Sequence, residues 1–280
     1  MLQRILAPTD GSPESEKALP MAEEIARAQG AELLLLYIIE LSPLLLAGPA
    51  ESAAAANVYE ELVAQAQSSA TQHLAELETR AREAGIRARS VIAHGPAAAT
   101  LLAYESSEQP DLLVMATHGR TGLARFALGS VADRLVREGT VPVLVTRRTI
   151  EATRKCDSAL VMLDGSGVAE EILPMVESLA GKPLQELALF RVVADPHDRA
   201  PAMTYLEGVA ARLERTGVRT TVSVDTGEPS HVAERAARHV DLVILCTHGR
   251  GGFDRLRHGS VAEYVMRSVA KPCLLVRAKG

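Results

Sequence analysis

The chain has 280 residues, 47% of them hydrophobic and 23% charged, enough apolar material for one large core or two ordinary ones. Aromatic residues are 3%, tryptophan is absent and the net charge is −5, which speaks against the stacking platforms and basic surfaces that hold nucleic acids. Cys156, Cys246 and Cys273 are too few and too irregular for a disulfide framework or a metal cluster. Nor does any apolar run reach the length of a bilayer span, so a cytoplasmic chain with no membrane or nucleic-acid partner is expected.

In chain order, residues 4–8 form a short apolar strand ending at Asp10. Ser12 then caps a helix with Pro13 in its first turn and Gly30 beyond its end. Residues 32–39 read as a strand whose run 33–39 is continuously apolar, as in a strand buried on both faces. The stretch 41–58, rich in Ala, Leu and Ser, reads as a long loop. A helical stripe follows, Leu62, Ala66, Ala70, Leu74, Leu77, Ala81 and Ala84, and stops at Gly85. Strand 88–92, a short helix from Ala97, strand 111–116, a helix from Ser130 and strand 141–145 complete a set of five strands and four helices.

The set then repeats. Asp10-Gly11-Ser12 and Leu19-Pro20-Met21 recur 154 residues later as Asp164-Gly165-Ser166 and Leu173-Pro174-Met175. Thr117-His118-Gly119-Arg120 and Gly129-Ser130-Val131-Ala132 recur 130 residues later, as Thr247-His248-Gly249-Arg250 and Gly259-Ser260-Val261-Ala262. The difference, 154 − 130 = 24 residues, is missing from the middle of the second copy. Its strands are expected at 159–163, 186–193, 220–224, 241–246 and 272–276. Strands separated by helices pair in parallel, so two similar doubly wound domains are expected, 1–149 and 156–280, joined by the polar segment between them.

Ligands of open α/β sheets bind beyond the carboxyl ends of the strands, where the strand order reverses. Thr9-Asp10 and the long turn 117–128 lie at such ends. A turn running into a helix N-terminus suits phosphate, with Gly119 allowing close approach, Arg120 adding charge and the Ser130 hydroxyl donating. Asp10 could accept from ribose hydroxyls. The competing reading needs no ligand: Ser130 with Asp133, and Ser260 with Glu263, are spaced as capping boxes, and Asp10 can stabilise its own turn. No phosphate-binding G-x-x-x-x-G-K-[ST] motif, nucleophile elbow or H-x-x-x-H spacing occurs, so no catalytic residue and no metal ligand is nominated.

Pro8-Thr9-Asp10-Gly11-Ser12, the stretch 111–130 and the strand Val141-Pro142-Val143-Leu144-Val145 together resemble the universal stress protein family in its tandem form. The resemblance spans both copies. It implies an ATP-binding or related adenine-nucleotide-binding regulatory protein of the stress response, with weak hydrolysis or none, and with Mg or Mn carried on the phosphates. A nucleotide-free interaction module and a slow ATPase are the alternatives. Nucleotide-binding members carry G-x-x-G, nine residues, then G-[ST]. Here Gly119 and Gly129-Ser130 keep the later part while Ala116 replaces the first glycine, and copy two has Cys246, Gly249 and Gly259-Ser260. The resemblance places Pro8, Thr9, Asp10 and Asp164 on the adenosine part, and Ile38 and Val192 along the adenine. It places Ala116, Gly119, Arg120, Gly129, Ser130 and Val131 around the phosphates, with Gly249, Arg250, Gly259, Ser260 and Val261 as counterparts. A Cβ at 116 or 246 is expected to intrude on the phosphate. Copy one, with Thr9 where copy two has Leu163, is expected to be the better site. The family also implies that the two last strands pair within the chain, forming an intrachain pseudo-dimer; assembly into a homodimer is left open.

Overall fold

A computed structural model describes residues 1–40, 53–117, 129–146, 156–247, 265 and 268–278. Five strands come from each copy: β1 (Arg4–Thr9), β2 (Glu32–Ile39), β3 (Arg87–His94), β4 (Leu112–Ala116) and β5 (Val143–Thr146), then β6 (Ser158–Met162), β7 (Glu186–Val193), β8 (Arg219–Thr226), β9 (Leu242–Thr247) and β10 (Cys273–Arg277). They form one ten-stranded sheet in the order β3-β2-β1-β4-β5-β10-β9-β6-β7-β8. Every neighbouring pair is parallel except β5 and β10, which run antiparallel with Val143 opposite Leu275, Leu144 opposite Leu274 and Val145 opposite Cys273. The expected pairing of the two last strands is therefore present, and the copies share one sheet.

Helices cover both faces. On one face lie α1 (Pro13–Glu16), α2 (Leu19–Gln29) and α3 (Ala53–Glu83), with α6 (Leu173–Leu179) and α7 (Arg199–Leu213) of the second copy. On the other lie α4 (Ala97–Glu108), α5 (Ser130–Glu138) and α8 (Pro229–Ala236). Strand alternation sorts the residues between them: Leu33, Leu35 and Tyr37 of β2 join the first layer, while Leu34, Leu36 and Ile38 join the second. Each layer runs through both copies without a break.

Two elements differ from the expectation. The first helix is split, because Pro20 has no N–H for the Glu16 carbonyl and its ring crowds it. The chain closes α1 with tighter bonds, Lys17 N–H to Glu14 O and Ala18 N–H to Ser15 O, and restarts at Leu19 with Pro20 in the first turn. Pro174 does the same in copy two, where a 3-10 turn over Ala169–Ile172 precedes α6. The stretch 41–58 is not a loop throughout, since α3 begins at Ala53; a run of alanines has the highest helix propensity, and here it extends the helix. The remainder, 41–52, lies outside the described residues.

Side chains also cross between copies. The Gln29 amide of α2 donates to the Ser178 carbonyl at 2.8 Å and to that of Lys182, while its oxygen accepts from Leu2 N–H. Arg277 of β10 donates to the Gly139 carbonyl at 3.0 Å.

Candidate functional site

The sheet order puts β1 beside β4 while the connections leaving β1 and entering β4 run to opposite sides, which is the switch-point geometry. The β1–β4 ladder stops at Leu6 opposite Leu113, so the carboxyl ends of the two strands part beyond it. β6 and β9 repeat this, pairing only as far as Val161 opposite Ile244. Among the described residues each copy thus has a crevice at this point, with Asp10 following β1 in the first and Asp164 following β6 in the second.

On the β1 side of copy one, the Asp10 carboxylate accepts from Ser12 N–H at 2.9 Å, closing an Asx turn. The Thr9 hydroxyl is buried and shares a 3.0 Å bond with the Ser15 hydroxyl while accepting from Gly11 N–H at 3.0 Å. That hydroxyl, expected to meet a ligand, belongs to the scaffold of the turn. Ser12 caps α1, accepting from Ser15 N–H at 3.2 Å. Pro8 is buried in β1, and Asp10 is half-buried.

On the face of the sheet that carries α5, Ile38 of β2, the neighbour of β1, is 8% exposed and lies in the second layer, with Met115 of β4 and the α5 residues Ala132 and Leu135. Val131 packs against the same layer. Ile38 and the first turn of α5 are thus on one face of the sheet. Ala116 is on the other face, in the layer of Ala7, Leu112 and Val114. Its methyl is core packing; the expected intrusion of a Cβ at this position is not what the alternation of β4 produces.

The capping-box reading of α5 also fails. Gly129 is the cap residue, no side chain among the described residues caps the helix, and Asp133 pairs instead with Arg137 one turn on. Ser130, the first helical residue, is exposed. The Asp133 carboxylate in that first turn is engaged by Arg137, which moderates its repulsion of an anion there. Gly119 and Arg120 lie outside the described residues, as do Gly249, Arg250, Gly259, Ser260 and Val261.

Copy two keeps the Asx turn, with Asp164 accepting from Ser166 N–H at 2.8 Å, but Asp164 is exposed. Leu163 and Ala169 replace Thr9 and Ser15, so a buried hydroxyl pair becomes a buried apolar pair. Val192 matches Ile38, packing half-buried against the second layer. Cys246 packs against the first layer, and burial, with the nearby Glu171 and Asp164 carboxylates, pushes its thiol up to about 11. Thr247, next along β9, is buried, and its hydroxyl has no hydrogen-bond partner among the described residues.

Three residues of this region carry no motif and were not anticipated: Ser15, Tyr37 and Arg191. The 154-residue offset equates Tyr37 with Arg191, a tyrosine exchanged for an arginine in otherwise matching strands, and that exchange was the available signal. Among the described residues no three His, Cys, Asp or Glu side chains are grouped to hold a metal ion, and no helix is long and apolar enough to cross a membrane.

A doubly wound α/β protein with two equivalent switch-point crevices is the class that this fold and site define. The model of the universal stress protein family matches residues 1–147 and again 157–277, and the chain belongs to that family. A universal stress protein of Mycolicibacterium smegmatis is 28% identical over 297 residues, covering 98% of this chain and 97% of the relative. One from Methanocaldococcus jannaschii is 31% identical over 148 residues, 53% of this chain and 84% of the relative. Among solved structures, a universal stress protein from Archaeoglobus fulgidus has a TM-score of 0.73 at 22% identity, covering 98% of each chain, a likeness of fold.

Proposed function

We propose that the chain binds an adenine nucleotide, ATP first among them, in the copy-one crevice, and that it acts as a regulatory protein of the stress response without strong catalysis. The observation that carries the reading is the first turn of α5: Gly129 caps it with no side-chain acceptor among the described residues, on the same face as Ile38, beyond the parted ends of β1 and β4. Free N–H groups and the helix dipole suit phosphate there. Asp10 on the other lip suits the ribose, Ile38 suits the base, and Gly119, Arg120, Ser130 and Val131 complete the phosphate side. A divalent cation, Mg or Mn, would arrive on the nucleotide's phosphates. Ala116 is compatible with this reading, since its side chain faces the opposite layer. Copy two, with Asp164, Val192 and the counterparts of the phosphate turn, is the weaker site.

The bonds inside the copy-one turn favour a second reading, a nucleotide-free interaction module, because they hold the turn without any ligand. Mass spectrometry of the purified, denatured chain separates the two, by nucleotide released or none. Calorimetric titration of ATP then assigns the copy. Asp10→Ala removes one or two hydrogen bonds and should weaken binding roughly tenfold to a hundredfold, Asp164→Ala far less. No heat with the wild-type chain, or a larger effect at Asp164, refutes the assignment.

A further inference from the structure

This inference rests on the nucleotide reading of copy one and concerns what aims Asp10. Tyr37 precedes Ile38 on β2 and therefore points to the opposite face. It is 8% exposed, and its hydroxyl donates to the Asp10 carbonyl at 2.9 Å. Gly11 makes room for that hydroxyl: at φ +75° it turns the chain, and a Cβ there would stand 2.9 Å from the Tyr37 oxygen. From the far side, His73 of α3 meets the Tyr37 ring edge-on, centroids 6.1 Å apart, and its Nε2 is 3.2 Å from the Glu16 carboxylate. The ring is thus held by α3, and its hydroxyl ties the turn to β2, a strand paired on both sides.

Copy two lacks the tie. Arg191 stands in the place of Tyr37, its Nη1 2.5 Å from where a Cβ of Gly165 would be and its guanidinium carbon 5.7 Å from the Tyr205 ring centroid. Among the described residues it makes no hydrogen bond to the Asp164 carbonyl. The internal Asx bonds of the two turns are alike, 2.9 and 2.8 Å, yet Asp164 is exposed where Asp10 is half-buried.

We propose that Tyr37 is the positioning residue of the copy-one site: by fixing the Asp10 carbonyl it holds the Asp10 carboxylate toward the ribose hydroxyls, and Arg191 in its place leaves copy two less selective for ribose. A turn bonded to a rigid strand loses less freedom when a ligand binds, so the contribution appears in affinity for the group that the turn recognises. That group is the ribose diol, because Asp10 faces no other part of a nucleotide in this reading.

The test is calorimetric titration of ATP and of 2′,3′-dideoxy-ATP into the full chain, Tyr37→Phe, Asp10→Ala and the double variant. Phe keeps the buried ring and removes only the oxygen, and melting without ligand checks that the fold is retained. Tyr37→Phe should weaken ATP roughly three- to tenfold, leave dideoxy-ATP unchanged, and add nothing in the Asp10→Ala background. Equal losses for both ligands, an unchanged ATP affinity, or additive losses in the double variant overturn the inference while the nucleotide reading stands. A wild-type chain that takes up no ATP overturns both.

Discussion

Glu105 of α4 offers a sharp test of how β5 is delivered to the seam between the copies. The residue is 6% exposed, and one carboxylate oxygen accepts from Thr140 N–H, from the Thr140 hydroxyl at 2.7 Å and from Val141 N–H at 2.9 Å. These bonds order the turn from α5 into β5. In Glu105→Ala the exposed Thr140 can turn its donors to water, but the half-buried Val141 N–H is left without its acceptor. A stranded backbone donor costs about 1–3 kcal/mol and a lost bond to a charged group about 1.5–3, partly overlapping, so a net loss of about 2–4 kcal/mol is expected. For a chain of this size that corresponds to a fall in Tm of roughly 5–15 °C. Glu105→Gln keeps an acceptor in place and should lose less than half as much. Gly139 frames the site, since a Cβ there would stand 2.7 Å from the other Glu105 oxygen and 2.6 Å from the Leu135 carbonyl. Urea unfolding of the two Glu105 variants decides the matter. If Glu105→Ala stays within about 0.5 kcal/mol of wild type, as an ordinary surface change would, the role assigned to this carboxylate is wrong.

Two further predictions concern the turn glycines and a buried thiol. Gly11→Ala forces a Cβ at φ +75° against the Tyr37 hydroxyl and should cost about 2–3 kcal/mol, from backbone strain plus a displaced hydrogen bond. Gly165→Ala, at φ +84°, meets only the movable end of Arg191 and should cost about 1–2 kcal/mol; equal losses in urea unfolding would count against the Tyr37 tie. Cys156 is fully buried, and burial, reinforced by the nearby Asp241, Glu24 and Asp157 carboxylates, pushes its thiol up to about 12. The unfolded thiol ionises first, so the stabilisation is complete below roughly pH 8.5 and is lost as pH rises toward 12. Melting curves should show wild type losing more stability than Cys156→Ala between about pH 9 and 11, and parallel curves would contradict this.

What could be read in advance followed from strong, local signals. Strands β2 and β7 have the expected ends, 32–39 and 186–193; in β2 an uninterrupted apolar run, 33–39, between Glu32 and Glu40 leaves little freedom in where the strand starts, and the 154-residue offset carries the same ends to β7. The two offsets placed the copies. What was missed depended on direction rather than type. Pro20 signalled a break, but Pro13 already explained a helix start nearby. The glycine spacing cast Ala116 as an obstruction, whereas counting faces along β4 assigns its side chain to the core. Tyr37 in an apolar strand read as packing, and its hydroxyl acquires a role only when β1 and β2 are aligned with Thr9 beside Tyr37.

The prolines flanking the seam show how sequence limits a contact as well as making it. Pro142 and Pro272 stand immediately before β5 and β10, and each gives its carbonyl to the inner parallel neighbour, to Leu113 N–H at 2.9 Å and Val243 N–H at 3.0 Å. Continuing the antiparallel register past its three pairs would set Pro142 against Val276 and Thr146 against Pro272, where the prolines have no N–H to donate. The ladder therefore stops, and the joining of the copies falls to packing around Leu144 and Leu274, both fully buried, and to the apolar layers that run through both halves. The remaining edges of the sheet are β3 and β8, with Arg87 and Arg89 on one and Arg219 and Asp225 on the other. Charged, half-exposed strands resist pairing with another sheet. The apolar edges of the two last strands are thus used up inside the chain, each covered by the other.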